Sequence, residues 1–137
     1  MIKTVLLFAG LPVVMSVHAA VSPIDIAQQT CLNNAFTTLA MEQCYTTASQ
    51  AWDQEMTQHY HRLTATRNRE QKTTLRTAQR AWLKYRDSWI EAAKARVSEG
   101  GTMALLQLGA LQVELNKNQA LALKSLAQSC GNPDECQ

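Results

Sequence analysis

Glycine, proline and aromatic residues are scarce in this chain of 137 residues. It has 5 glycines and 3 prolines, and aromatic residues make up 6% of the sequence. Alanine, leucine and glutamine are abundant instead, and all three are compatible with helix along their whole length. The composition therefore predicts an all-α protein.

A large excess of charge of either sign is also missing. The formal net charge is +2, and it falls to +1 without Lys3. A charge this close to balance does not indicate a nucleic-acid-binding protein. No sequence pattern indicates a cofactor.

The chain has no apolar run long enough to cross a membrane, and the apolar run at the N-terminus is also too short. Lys3 precedes an apolar stretch from Val5 to Val17, and small residues surround Ala19 at a signal-peptidase site. This pattern predicts a cleavable signal peptide over residues 1–19, with cleavage after Ala20 as the second choice. Residues 20–137 then form a single domain exported to the periplasm. No cysteine follows the cleavage site directly, so we expect no lipid anchor.

The chain has 4 cysteines: Cys31, Cys44, Cys130 and Cys136. In an oxidising compartment an even number of cysteines favours disulfides, and four cysteines allow three pairings. Local spacing favours Cys31–Cys44 and Cys130–Cys136. The sequence has no C-x-x-C motif, so structural disulfides are favoured over a redox site.

The stretch from Leu75 to Asp87 has the strongest helical pattern. Apolar and aromatic residues recur there at steps of three and four, which places them on one face of a helix. This face is predicted to be the buried stripe around which the other helices pack, and it includes Trp82 and Trp89.

Local signals divide the remainder into four helices. Ser22 and Asn68 are predicted helix caps, and Gly100-Gly101 is a predicted stop. The second helix has a predicted buried stripe of Met41, Cys44, Ala48, Trp52, Met56, Tyr60 and Leu63. The first helix is expected to begin at Ser22-Pro23 and to end at a turn near Thr37-Thr38, and the second to run from that turn to about Thr66. The third is expected to run from about Arg69 to Ser98 and the fourth from about Met103 to Ser129. Together they predict a compact four-helix domain whose N-terminal hairpin is bridged by a disulfide.

Several of these residues form a pattern that resembles the LprI-like N-terminal domain family. Its most specific part is the segment Q-x-x-W-x-x-Y-R-D. The matching residues are Cys31, Cys44, Asp53, Met56, Tyr60, Leu75, Gln79, Trp82, Tyr85, Arg86, Asp87, Gly100, Gly101 and Thr102. The resemblance implies a small exported α-helical protein, and the family is named after a lipoprotein that inhibits lysozyme.

The chain departs from that family pattern in its second disulfide. Members commonly have a cysteine shortly after the Arg-Asp pair and a partner cysteine in the last helix. Ile90 stands at the first position here, and neither Gly109 nor Leu111 supplies the second. Cys130–Cys136 is expected to replace that bridge.

Arg86 lies on the predicted buried face and therefore needs a partner, because an unpaired buried charge costs several kcal/mol. Asp53 is the predicted partner, which would tie the second helix to the third, and Asp87 is the local alternative. A ligand-binding role for Arg86 is the competing interpretation.

A metal site is not predicted. Glu55 and His59 share a helix face, but His61 points elsewhere and no third ligand has suitable spacing. No arrangement of serine, histidine and carboxylate indicates catalysis either, so we expect no enzymatic activity.

The third helix also has a predicted basic stripe, spaced by three or four residues and composed of Arg69, Lys72, Arg76, Arg80 and Lys84. It is either a solvated face or a docking surface for an acidic partner. Because animal-type lysozymes are strongly basic, the stripe would repel them. A lysozyme would then contact another surface, such as the turn at Gly100-Gly101-Thr102 or the terminal loop with Asp134 and Glu135.

The resemblance favours a non-catalytic inhibitor of lysozyme or a related peptidoglycan-cleaving enzyme, acting by stoichiometric occlusion. Two alternatives stay open. One is an immunity protein that neutralises a toxin delivered into the periplasm, such as a peptidoglycan amidase. The other is an envelope protein that binds an anionic polymer.

Overall fold

The described part of the computed structural model, residues 21–128, is helical apart from short turns. It contains α1 (Pro23–Asn33), α2 (Thr38–Ala65) and α3 (Arg69–Gln128). The all-α prediction is confirmed. The predicted signal peptide and the Cys130–Cys136 disulfide lie outside the described residues.

The helix starts follow from local side-chain chemistry. Ser22 Oγ accepts a hydrogen bond from the Ile24 amide at 3.2 Å, with Pro23 in the first turn of α1. At the start of α3, Asn68 Oδ1 accepts from the Gln71 amide at 2.9 Å, and Gln71 Oε1 accepts from the Asn68 amide at 3.2 Å. These bonds satisfy amides that a helix start leaves without partners, so both predicted caps are confirmed.

α3 is one helical run that folds back on itself at Gly101. Gly101 has φ 64° and ψ −158°, a backbone conformation that is almost confined to glycine. Gln119 Nε2 donates to Gln79 Oε1 at 2.9 Å, although 40 residues separate them. A straight helix of that length would hold them about 60 Å apart, so the two arms of α3, residues 69–100 and 102–128, are antiparallel. The predicted third and fourth helices are therefore arms of a single run.

The core is centred on α2. Its buried side chains Ala48, Trp52, Met56 and Leu63 pack against the second arm of α3, where the buried residues are Val113, Ala120 and Leu123. The predicted stripe of α2 is confirmed at these four positions and at Cys44, which is 2% exposed.

The prediction that the Leu75–Asp87 stretch organises the fold is wrong. Trp82 is only half-buried and packs at the margin of the core, while Tyr85 and Trp89 are 53% and 51% exposed. α2 packs against both α1 and α3, and all the buried residues of α3 belong to its second arm. Helical periodicity identified this face only in part, because Leu75, Gln79, Trp82 and Arg86 are half-buried. Ala78, Tyr85 and Trp89 lie to one side of that face and are exposed.

A disulfide joins the two helices of the N-terminal hairpin. Cys31 and Cys44 are bonded, with their Cα atoms 5.7 Å apart. The predicted Cys31–Cys44 pairing is confirmed. In the chain-entropy model, closing a loop of this size stabilises the fold by about 3 kcal/mol.

None of the helices within residues 21–128 combines the length and the apolar character needed to cross a membrane.

Candidate functional site

Arg86 is the centre of a polar cluster that joins all the long helical segments. Its Nη1 lies 3.2 Å from Asp53 Oδ1 on α2, and its Nε and Nη2 each lie 3.0 Å from Asp87 Oδ1. The predicted ion pair with Asp53 is therefore present, and the local alternative, Asp87, binds the same guanidinium.

Asn116 completes the cluster from the second arm of α3. Its Nδ2 donates to the backbone oxygen and to Oγ of Ser49, both at 3.1 Å. Its Oδ1 accepts from Arg86 Nη1 at 3.4 Å. Asn116 is only 6% exposed, so these bonds satisfy an amide that would otherwise be buried without partners.

The cluster lines an open polar cleft of about 380 Å³, together with Gln50, Gln54, Ile90 and Gln112. All three guanidinium nitrogens of Arg86 already have protein partners. The face of the guanidinium lies over Trp82, 5.3 Å from the ring centroid. Arg86 therefore serves as a clamp between helices, which favours the structural interpretation over a ligand-binding arginine.

The other motif residues have separate places in the structure. Gln79 bonds to Gln119 between the arms of α3. Tyr60 is half-buried against the core and makes an edge contact with the His61 ring. Exposed Tyr85 makes an edge contact with Trp89, and Gly100 and Gly101 lie at the bend of α3. Of the predicted motif, Asp53, Trp82, Arg86 and Asp87 meet in this cluster.

The predicted basic stripe lies on the surface of α3. Four of its five members are exposed and Lys72 is half-buried. None of the five forms an ion pair with another described residue. The stripe is therefore available to solvent or to an anionic partner.

His59 is the one buried histidine among the described residues, at 6% exposure. Its Nε2 lies 3.2 Å from Glu55 Oε2, while His61 is exposed. Burial lowers the pKa of His59, and this desolvation outweighs the opposing attraction of Glu55; Arg62 and Lys124 lower the pKa further. Within residues 21–128, no three side chains from histidine, cysteine, aspartate and glutamate converge as metal ligands.

Sequence reasoning missed two polar residues that hold the helices together. Lys117 Nζ lies 2.7 Å from Asp25 Oδ2 on α1 and 5.6 Å from the centroid of the Trp52 ring. Asn116 falls between Val113 and Ala120 in the buried stripe of α3, at helical spacing. A polar residue at such a position was the signal that could have identified Asn116.

Charge is divided unevenly between the two parts of the described chain. Residues 21–61 contain no lysine or arginine, and their four carboxylates are Asp25, Glu42, Asp53 and Glu55. Residues 62–128 contain twelve lysines and arginines against five carboxylates. The hairpin of α1 and α2 thus has a net negative charge and α3 a net positive charge, although Asp25 and Asp53 are paired with Lys117 and Arg86 of α3.

Comparisons with known proteins give a family and a related fold. A family model described as lysozyme inhibitor LprI matches residues 31–123, which confirms the resemblance predicted from the motif. A crystal structure of an uncharacterised protein from Burkholderia thailandensis has a TM-score of 0.75 and 27% sequence identity. The match covers 83% of this chain and 57% of that chain, so this chain spans little more than half of that protein's length. No curated protein matches the chain.

Proposed function

Because the chain belongs to the lysozyme inhibitor LprI family, we propose that it inhibits a lysozyme or a related peptidoglycan-cleaving enzyme by stoichiometric binding. The observation that carries this proposal is the family match over residues 31–123. That range begins at the hairpin disulfide and ends at Leu123 in the core, so it includes the clamp around Arg86. The inhibitor acts without catalysis, by covering the substrate cleft of its target.

The structure supports a rigid-body mechanism. The disulfide fixes α1 to α2, and the cluster of Asp53, Arg86 and Asn116 fixes α2 to both arms of α3. A binding surface on such a scaffold is ordered before the partner arrives. The complex then loses less conformational entropy on forming, which favours affinity.

The proposed location is the periplasm. The pattern of residues 1–19 supports export, and the Cys31–Cys44 disulfide is of the kind that persists in an oxidising compartment. Peptidoglycan and the enzymes that attack it are accessible from that compartment.

Titration of the oxidised chain into lysis assays tests the proposal. Animal-type, goose-type and bacterial muralytic enzymes would each receive increasing amounts of protein. Inhibition of one class that saturates near one equivalent is expected. A flat titration with every class contradicts the proposal.

A second candidate function is binding of an anionic partner, either an envelope polymer or an acidic toxin, by the basic stripe. It is favoured by the exposure of the stripe and its lack of ion pairs among the described residues. Binding to an anionic polymer should weaken with salt and when Arg76, Arg80 and Lys84 become Gln. Substitution of Lys94, Arg96 and Lys124 by Gln, which also removes three positive charges but off the stripe, is the matched control.

A further inference from the structure

The turn between α1 and α2 presents an aromatic side chain to solvent. Phe36 is 91% exposed, and Leu39, in the first turn of α2, is 64% exposed. Large apolar side chains gain free energy when they are removed from water, so a partner that covers Phe36 and Leu39 would be stabilised on this surface. We call residues 34–39 the tip.

The tip is braced from both sides. Asn34 Nδ2 donates to the Thr30 carbonyl at 2.8 Å, and the Ala40 amide donates to Thr37 Oγ1 at 3.1 Å. The Cys31–Cys44 disulfide closes the hairpin below these bonds. Phe36 therefore projects from a backbone that is held in place, as a preorganised contact requires.

The bend of α3 lies at the same end of the molecule as the tip. A Cβ atom on Gly109 would lie 2.8 Å from Tyr45 Cβ, so these two positions are level with each other. Asn116 bonds to Ser49 in nearly the same register, so the second arm of α3 runs parallel to α2. Leu39 lies six residues before Tyr45, and Met103 lies six residues before Gly109, which is about 9 Å of helix in each case. Leu39 and Met103 are therefore at the same end of the bundle. Met103 is 64% exposed and enlarges the apolar surface of this end.

The charge at this end suits a cationic partner. No charged residue occurs between Asp25 and Glu42, so the tip itself is neutral. Lysine and arginine are absent from residues 21–61. Lys94 and Arg96, in the last turns of α3 before its bend, are outnumbered by Glu42, Glu91 and Glu99, and Lys94 is paired with Glu91. The basic stripe begins at the opposite end of the bundle, beside the Asn68 cap. A basic lysozyme would thus meet less repulsion at this end of the hairpin than at the stripe.

We propose that the tip is the surface that contacts the target enzyme, with Phe36 entering the substrate cleft of a cationic, animal-type lysozyme. This inference rests on the proposed function. A neutral tip can approach the carboxylates of such a cleft without repulsion between like charges. Phe36 supplies an apolar anchor there, and the amide and hydroxyl groups of Asn34 and Thr37 adjoin it.

Inhibition constants of Phe36→Ala and Trp89→Ala against an animal-type lysozyme test the anchor. Both remove an exposed aromatic side chain, and Trp89 lies on α3 away from the tip. Phe36→Ala should weaken inhibition at least about ten-fold, and Trp89→Ala less than about two-fold. Phe36→Tyr keeps the ring and should retain most of the inhibition. Thermal unfolding of each variant well above the assay temperature shows that loss of folding is not the cause.

Association rates of Gln43→Lys and Gln43→Glu test the charge argument. Gln43 is exposed beside the tip, and the two variants differ only in the sign of the added charge. Gln43→Lys should slow association with the lysozyme and Gln43→Glu should accelerate it, and the difference should shrink as salt is added.

The outcomes separate the two proposals. If the parent inhibits and Phe36→Ala inhibits equally well, the assignment of the tip is overturned while the inhibitor function stands. If the parent inhibits only an acidic muralytic enzyme or a toxin, the partner named here is wrong. If the parent inhibits none of them, both proposals are wrong.

Discussion

Arg86 on α3 donates a hydrogen bond to Asp53 on α2, with Nη1 3.2 Å from Oδ1. The Asp53 side chain is 48% exposed, so solvent screens part of the attraction. A double-mutant cycle with Asp53→Ala and Arg86→Ala should give a coupling energy of about 0.5–1 kcal/mol in urea unfolding. The exposed pair Lys94–Glu91 is the control, and its coupling should be smaller. Equal coupling in the two pairs would contradict the clamp.

Arg86→Ala should by itself destabilise the fold more than Asp53→Ala does. The arginine also covers Trp82 and donates to buried Asn116, so its removal loses packing and a second hydrogen bond. Equal unfolding free energies for the two single variants would show that the arginine contributes only through its charge pair.

Trp52 and Trp89 should differ strongly in their contribution to stability. Trp52 is 3% exposed at the centre of the core, and Trp89 is 51% exposed. Trp52→Ala should reduce the free energy of unfolding by about 3–5 kcal/mol, as large core deletions do. Trp89→Ala should cost less than about 1 kcal/mol, and chemical denaturation measures both. Similar losses in the two variants would contradict the position of the core.

Gly109→Ala should destabilise the contact between α2 and α3. The added methyl group would lie 2.8 Å from Tyr45 Cβ, closer than packed carbon atoms approach. Alanine gains about 1 kcal/mol of helix propensity over glycine, but overpacking costs about 1–3 kcal/mol. The net effect should be a lower unfolding temperature. Because Tyr45 also packs against the core, Tyr45→Ala has a cost of its own, and a double-mutant cycle is needed. Gly109→Ala should cost less in the Tyr45→Ala background but should still destabilise, because the close approach is to Tyr45 Cβ itself.

The stability of the fold should fall as the pH drops below about 6.5, the ordinary pKa of histidine. Burial lowers the pKa of His59 in the folded state, so the unfolded chain binds the proton more readily. The stabilising effect of a neutral His59 is complete above pH 6.5 and is lost as the pH falls toward the lowered pKa. Urea unfolding at a series of pH values measures this dependence.

His59→Gln should flatten that pH profile in the region below 6.5, whereas His61→Gln, at an exposed position, should leave it as in the parent. A parent whose stability rises as the pH falls through this range would contradict the account of His59.

Helix boundaries could be predicted from the sequence because caps are local. Ser22, Asn68 and Gly101 act through bonds or backbone angles within a few residues of themselves. The stripe of α2 could be predicted for the same reason, since helical spacing alone defines one face. The ion pair of Arg86 followed from the need of a half-buried charge for a partner.

The order of burial among the helices could not be predicted, because it depends on tertiary packing. Trp52 and Trp82 occupy similar positions in two amphipathic patterns, yet only Trp52 is covered on all sides. The bonds of Asn116 to Ser49 and of Lys117 to Asp25 join residues 67 and 92 positions apart. Such pairs depend on how the helices are aligned along their axes, and local sequence patterns do not show this alignment.

The uneven distribution of charge along the chain could be seen in the sequence, but the surface that it forms could be identified only from the fold. The basic stripe alone argued against a basic partner. Once α1 and α2 are seen to form one hairpin, their lack of lysine and arginine up to position 61 defines a surface of the opposite character. The exposure of Phe36 could not be predicted from the sequence for the same reason, because it is a property of the folded hairpin.

Competition between the chain and a cleft-filling ligand tests the central claim of occlusion most directly. Calorimetric titration of an animal-type lysozyme with the oxidised chain would be run with and without a saturating chitooligosaccharide, which fills the substrate cleft. If the chain occludes the cleft, it should form a one-to-one complex whose apparent affinity falls as the oligosaccharide concentration rises. Tight binding that the oligosaccharide leaves unchanged would contradict occlusion, because the chain would then bind the enzyme outside the cleft.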